Sequence, residues 1–356
     1  MESMTDSQAN MMELAPGLSV AGDYGDWLAE YHTVRDAVAL MDRDHRGLIE
    51  IRGKDRAPWL HNLLTNEVKN LSPGEGVFAF CVNLKGRTLF DLNLLIEADR
   101  FLLDIDRRRL SAALSHLDRY LVVEDVAITD RTDEFARIGV LGTGIKAFFA
   151  ELGAPNVPLM ADIHHAPLEI LGVSVTAFRN DFSGLPGVEL IVARPDCERL
   201  KTALLDAGRA LGIRQVGWRA AEAVRIEQGV PRSVDDIDEE VIPPETLRVE
   251  QGISYHKGCY LGQEVIERMR SHGVLARRLV GVAVQGDRPP TPGSELIVDD
   301  KTQGRVTSTC HSPILDAPLA MGYLSSRFSD PEREVQIRDT DGSLAGRVVL
   351  LPIQAR

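Results

Sequence analysis

Apolar residues at Trp27, Leu28, Tyr31, Val34 and Val38 recur on one helical face and predict a helix within 24–41. The period then changes. Gly47–Gly53 alternates as a short strand closed by glycine, and Asp55 with Pro58 opens a helix whose stripe is Trp59, Leu60, Leu63, Leu64 and Val68. After the turn at Pro73–Gly76, two strand-like runs, Val77–Leu84 and Thr88–Ile96, are joined by Lys85-Gly86-Arg87 and read as a hairpin. Phe101–Ile105 is a further strand. Asp106 caps a helix carrying Leu110, Leu114, Leu117 and Leu121, and 122–129 returns as a strand. The block 48–130 is therefore β-α-β-β-β-α-β, an α+β layer arrangement.

A second mixed block covers 131–278. Arg137–Leu141 reads as a strand, Gly144–Leu152 as a helix and 154–168 as a loop. The strands Val173–Arg179 and Val188–Val192 flank a turn at Ser183–Gly187. Helices follow at Cys197–Leu211 and from Trp218 to about Gln228, the second closed by Gly229 and Pro231. Beyond 278 the helical period stops. Short strand runs separated by turns such as Asp341-Gly342 predict a small β-barrel over 279–356. Residues 1–47 are assigned to an N-terminal segment that packs with the second block.

Composition narrows the function. A chain of 356 residues, 44% hydrophobic and 26% charged, suits a globular protein of more than one core. Its formal net charge of −13 opposes general nucleic-acid binding, while leaving room for a local basic pocket. The cysteines at 81, 197, 259 and 310 form no CxxC pair, which suits free thiols in a reducing compartment and neither a disulfide framework nor a zinc site. No apolar run of membrane-spanning length and no leader-like N-terminus are present, so a cytoplasmic protein without membrane contact is expected.

Several constellations carry weak signals. Gly142-Thr143-Gly144 lacks the third glycine and the distant acid of a dinucleotide loop, and His164-His165 lacks metal-ligand spacing to any partner. Asp91, after the Gly86-Arg87 turn and among apolar neighbours, is a candidate desolvated carboxylate; it can also face solvent or pair with Arg87. Glu189 and Arg225 are a carboxylate and a guanidinium able to fix a planar heterocycle, or to pair with each other or other side chains. Cys259 lies between Gly258 and Tyr260, near Lys257. It is either a thiol biased toward thiolate or an inert cysteine in a glycine-flanked turn.

Read together, these segments resemble the YgfZ/GcvT superfamily of folate-binding proteins. Lys257–Glu264 resembles the K-G-C-[FYW]-x-G-Q-E signature of the YgfZ branch. Leu64–Glu67 resembles the first-helix T-[NG]-D element, Asn83–Asp91 the glycine hairpin ending in an acid, Phe182–Glu189 the Y-T-G-E-x-G-[FV]-E element, and Arg225–Gly229 the R-[LI]-E-x-G helix. The resemblance implies a three-domain cloverleaf around a channel that binds tetrahydrofolate or a one-carbon derivative. It implies that Glu189 and Arg225 hold the pterin, with Asn66, Lys257, Tyr260 and Gln263 among the cofactor-contacting residues. Asp91 would assist attack by a folate nitrogen on a methylene carbon, and Cys259 would be the reactive thiol. The chain departs from the transferase pattern at Phe182, Leu185 and Phe90. The expected function is therefore YgfZ-like assistance in iron–sulfur cluster assembly or repair, with iron–sulfur client enzymes or assembly factors as partners. The alternative is a folate-dependent aminomethyltransferase or one-carbon transferase, like the glycine cleavage T-protein.

Overall fold

The computed structural model describes residues 9–273 and 275–354. A hairpin of β1 (Asn10–Ala15) and β2 (Leu18–Asp23) precedes α1 (Trp27–Asp36). The Asp26 carboxylate accepts the Ala29 N–H at 3.0 Å and so starts that helix. Next come β3 (Ala39–Asp42), β4 (Arg46–Arg52), α2 (Arg56–Leu63), β5 (Gly76–Val82), β6 (Thr88–Ile96), β7 (Phe101–Asp106), α3 (Leu110–Arg119) and β8 (Ala127–Asp130). The following stretch holds β9 (Phe135–Leu141), α4 (Ile145–Glu151), β10 (His165–Ile170), β11 (Val173–Arg179), β12 (Gly187–Ala193), α5 (Cys197–Ala207) and β13 (Arg214–Gln215). Then come α6 (Trp218–Glu227), α7 (Val249–Gly252) and α8 (Gln263–His272). The last strands are β14 (Arg277–Val284), β15 (Glu295–Val298), β16 (Lys301–Ser312), β17 (Ala317–Ser325), β18 (Glu334–Asp339) and β19 (Gly342–Val349).

The fold is α+β with a closed barrel. One sheet has the order β10-β11-β12-β9-β3-β13, a second β5-β6-β7-β4-β8, and the barrel β14-β17-β16-β15-β18-β19. The chain divides into two compact units. The first comprises Met1–Leu60, Val68–Phe78 and Leu92–Ala221; the second His61–Glu67, Ala79–Asp91 and Glu222–Arg356. Among the described residues no helix is long and apolar enough to cross a membrane.

In the first unit, α4 and α5 bury Phe148, Phe149, Leu200 and Leu204 against Ile138, Val140, Val188, Leu190 and Val192 of the six-stranded sheet. Side chains alternate across a strand. With Val188 and Leu190 turned into this core, Glu189 projects from the opposite face, as do Arg137 and Gly139 on neighbouring β9. The period-two pattern therefore sets a polar row behind an apolar one. In the second unit, Val282, Leu296, Val306, Leu324 and Ile337 fill the barrel. A separate cluster joins Ile226 of α6 to Leu319, Met321 and Tyr323 of β17.

Two sequence expectations shift. The strand expected over 122–129 is confined to Ala127–Asp130, because the Glu124 carboxylate accepts the Val122 and Val123 N–H groups and turns the chain. The loop expected over 154–168 yields β10 at its end. Pro167 is tolerated there because β10 is an edge strand with one unpaired side.

Candidate functional site

The segment Lys257–Glu264 lies along the C-terminal end of α2. The Lys257 ammonium donates to the carbonyls of His61 (2.5 Å), Leu64 (2.6 Å) and Asn66 (2.8 Å). Carbonyls at a helix end lack intrahelical partners and carry the negative pole of its dipole, so a buried cation is well placed here. Backbone bonds extend the seam: Ser254 N–H to Thr65 O and Leu261 N–H to Asn62 O, both 3.0 Å. The Thr65 hydroxyl donates to Gly252 O at 2.6 Å, and Asn66 Nδ2 to Gln251 O at 2.8 Å.

This seam shows what two of the expected cofactor-contacting residues do within the chain. Three carbonyls take the three donors of the Lys257 ammonium, leaving none directed to a ligand or to the Cys259 thiol. Asn66 is likewise used by its side chain and its carbonyl to fix 251–257 to the end of α2. Cys259 itself is exposed. It follows Gly258, where an added Cβ would stand 3.8 Å from His61 Nε2.

Tyr260 is buried over the Lys257 ammonium, 5.0 Å from it to the ring centre. Its hydroxyl is buried without a hydrogen-bond partner among the described residues, and burial, with Glu267 beside it, pushes the phenol well above its ordinary pKa. Gln263 folds back so that its Oε1 accepts the Tyr260 N–H at 3.3 Å. Gly262 has φ +79°, and a Cβ there would stand 2.4 Å from the Asn83 carbonyl. Only glycine allows the 83–87 hairpin to approach this closely. Gly262→Ala is expected to destabilise the chain by about 1–3 kcal/mol, read as a lower urea midpoint.

Asp91 follows that hairpin on β6 and is 7% exposed. The Asn83 side chain accepts the N–H groups of Lys85 (2.9 Å) and Arg87 (3.2 Å), which fixes the turn with Gly86 at φ +69°. The Arg87 guanidinium is directed to the Glu240 carbonyl, and the Thr88 N–H donates to Val241 O at 2.9 Å. Asp91 thus sits two residues past an anchored point, flanked by Phe90 and Leu92 at 1% exposure each.

Arg225 uses every N–H it has. Nε donates to Glu222 Oε2 (2.9 Å), Nη1 to Val230 O (2.6 Å) and Asp236 Oδ2 (2.7 Å), and Nη2 to Glu222 Oε1 and the Ser308 hydroxyl (2.9 Å). Burial lowers its basicity, but Glu222 and Asp236 outweigh burial and raise it. Arg225 therefore ties α6 to the 230–236 turn and to β16. Of the two readings left open for it, the structure shows Arg225 paired with protein groups.

Glu189 is fully buried on β12. Its Oε1 accepts from Arg43 Nη2 (3.0 Å) and Asn180 Nδ2 (2.6 Å), and its Oε2 lies 3.5 Å from Arg137 Nη1. Arg137 also meets Asp104 at 2.9 Å, and Asp104 takes a two-pronged grip from Arg46 (3.1 and 2.8 Å) and a bond from Asn93 (2.8 Å). Sequence reading missed Arg43, Arg137, Asp104 and Asn180. The signal available was strand parity beside Glu189 and the charged run Asp42–Arg46 between two apolar strands.

Burial alone would raise the Asp104 carboxyl, but Arg137 and Arg46 outweigh it and hold it at about 2. A depressed folded-state pKa gives stability that is present above the unfolded value and lost as pH falls through the folded one. The melting temperature is therefore expected to fall between about pH 4 and pH 2. That slope should flatten in Asp104→Asn, and an equal slope in both proteins would show that Asp104 does not contribute it.

Residues 1–249 match the family model of the GCVT N-terminal domain, and residues 277–353 that of the glycine cleavage T-protein C-terminal barrel domain. The chain belongs to the glycine cleavage T-protein family. It is 27% identical over 346 residues to an aminomethyltransferase of Chloroherpeton thalassium, covering 97% of this chain and 94% of that one. A Bacillus subtilis aminomethyltransferase is 26% identical over 352 residues, covering 94% and 95%. In fold, the chain matches the crystal structure of glycine cleavage system aminomethyltransferase T from Bartonella henselae, with a TM-score of 0.86 and 21% identity over 98% of this chain and 95% of that one.

These relatives overturn the expectation of a YgfZ-type iron–sulfur accessory protein. Proteins matched along nearly the whole chain are aminomethyltransferases, whereas the YgfZ assignment rested chiefly on eight residues. Those residues have a structural job here: a buried lysine capping α2 and a glycine against a hairpin carbonyl. An iron–sulfur role for Cys259 is accordingly withdrawn.

Proposed function

We propose that this chain is a folate-dependent one-carbon transferase of the aminomethyltransferase kind, using tetrahydrofolate or a one-carbon derivative of it. The observation that carries this reading is the end-to-end likeness to proteins named aminomethyltransferase, in both family segments.

The side chains support a ligand unevenly. Asp91 is a buried carboxylate, and the Tyr260 hydroxyl is buried without a hydrogen-bond partner among the described residues; both suit a ligand bearing N–H groups and acceptors. Glu189 and Arg225 are engaged by protein groups, so the proposal gives each a positioning task within its own unit rather than contact with the ring. Asn66, Lys257 and Gln263 likewise position the 251–264 segment that carries Tyr260.

When bound, tetrahydrofolate supplies a secondary-amine nitrogen that accepts the one-carbon unit. Asp91 is assigned the proton released at that nitrogen, held on a carboxylate oxygen shielded from water. A positioned carboxylate is a general base of the kind that such proton removal needs. Calorimetric titration with tetrahydrofolate tests the ligand assignment. Saturable binding, weakened in Tyr260→Phe, is the expected outcome; absence of heat at any concentration would remove folate from the account.

A further inference from the structure

The barrel carries a cleft at the end where three of its strands part. β14, β17 and β16 are neighbours in the barrel. Pairing of β16 with β17 reaches Gly304↔Leu324, and that of β14 with β17 reaches Arg277↔Ser325. Past that point β17 runs into a single turn, Ser326–Phe328, pinned by the Ser326 N–H to Ala276 O at 3.0 Å. On the other side, β15 and β16 are joined through Asp299 and Asp300, whose φ values of +51° and +60° make a tight two-residue turn. The space between these pieces measures about 520 Å³, and its walls include Lys301, Gln303, Ser325 and Arg327 together with Leu275 and Phe328. Small-molecule sites fall in the range of about 300–1,000 Å³.

The charges on these walls do not cancel. Lys301 and Arg327 are exposed, and neither side chain has a hydrogen-bond or ion-pair partner among the described residues. The Gln303 amide and the Ser325 hydroxyl are also unengaged and open to solvent. The acid on the walls, Asp299, already has its cation: Arg333 Nη2 donates to it at 3.0 Å, and the same guanidinium lies 5.2 Å from the Phe328 ring. Asp300 lines a neighbouring cleft with Glu332 and Glu334, where Arg347 holds Glu332 at 2.9 Å. Lys301 and Arg327 are therefore two unmatched positive charges on one accessible cleft, in a chain whose net charge is −13.

An ammonium, a guanidinium, an amide and a hydroxyl together suit a compact oxyanion, which accepts hydrogen bonds from all four. The charge selects among oxyanions. A phosphate monoester carries about −1.5 to −2 at pH 7 and so matches two cations, whereas a carboxylate brings a single charge. Leu275 and the half-buried Phe328 offer an apolar wall to the organic part of such a molecule.

We propose that this cleft binds a small phosphate monoester, with Lys301 and Arg327 on the phosphate and Leu275 and Phe328 against the organic group. The site lies wholly within the second unit and does not rest on the one-carbon reading.

The experiment is calorimetric titration of the full chain with phenyl phosphate, inorganic phosphate and phenyl sulfate at constant ionic strength. Phenyl phosphate is expected to bind saturably at one site. It should bind more tightly than inorganic phosphate, which lacks the organic group, and more tightly than phenyl sulfate, which carries a single charge. In Lys301→Ala and in Arg327→Ala its dissociation constant should rise at least about tenfold, the loss of one charge-assisted bond. Both side chains are exposed, so the urea midpoints should not move. Arg278→Ala is the control, because Arg278 is an exposed, unpartnered cation on β14 outside the cleft, and its removal should leave the affinity unchanged. Absence of saturation with phenyl phosphate, or an equal loss in Arg278→Ala, would reduce the effect to general attraction of anions and overturn the proposal. Inorganic phosphate or phenyl sulfate binding as tightly as phenyl phosphate would overturn the assignment to a monoester.

Discussion

Replacing Asp91 by Asn is expected to lower turnover about 10²–10⁴-fold, the range associated with removing a positioned proton acceptor. The substitution keeps the size of the side chain while removing its negative charge and its ability to hold a proton. Asp91 is buried on β6 between Phe90 and Leu92, past a turn anchored at Asn83 and Val241. An amide fits that space, so the urea midpoint should change little while the rate collapses. The separation of the two readouts matters: a purely structural Asp91 would move stability and leave the rate per folded molecule intact. Undiminished turnover in Asp91→Asn would remove this residue from the chemistry.

The second large effect concerns Arg225. Arg225→Met is expected to cost about 3–5 kcal/mol of stability, because it leaves buried carboxylates without their cation. Asp236 has zero exposure and would keep only neutral donors: the Thr307 and Ser308 hydroxyls and the Arg232 N–H. Glu222 would retain Arg232 alone. The exposed pair Arg52–Asp99 serves as the contrast, since both side chains are substantially solvated. Asp99→Ala there is expected to leave the urea midpoint almost unchanged. Equilibrium urea denaturation of both variants checks the comparison. A loss for Arg225→Met as small as that for Asp99→Ala would show that its five hydrogen bonds do not hold the 230–236 turn to β16.

The parts of the fold that were legible in the sequence are those stabilised locally. The stripe of Leu200 and Leu204 marks α5 because helical periodicity and burial coincide there. The barrel strands are legible because their apolar residues alternate and glycine or aspartate turns separate them. By contrast, α8 carries a mostly polar sequence, and its start depends on Gly262 packing against the Asn83 carbonyl, a contact far away in sequence. The β1–β2 hairpin is mostly exposed on β1 and offers little apolar pattern to read.

The candidate site divides in the same way. Asp91 stood out in the sequence because a glycine turn and apolar neighbours surround a single acid, and the structure shows it buried on β6. Glu189 and Arg225 were legible as unusual charges, yet their partners were not. Arg43, Asn180, Asp236 and Ser308 reach them through the tertiary fold, and these contacts set each charge in a buried network. Lys257 shows the same limit: its spacing to Cys259 suggested an activated thiol, whereas the end of α2 claims the ammonium. A short motif therefore records a packing solution as readily as a chemistry.

The most direct test of the account is one-carbon transfer itself. The purified chain is incubated with tetrahydrofolate and a panel of aminomethyl and N-methyl donors, and the folate product is followed by mass spectrometry. The account predicts a folate carrying one additional carbon, formed catalytically with at least one donor and lost in Asp91→Asn. Saturable tetrahydrofolate binding with no carbon transferred from any donor, or transfer that persists unchanged in Asp91→Asn, would contradict it.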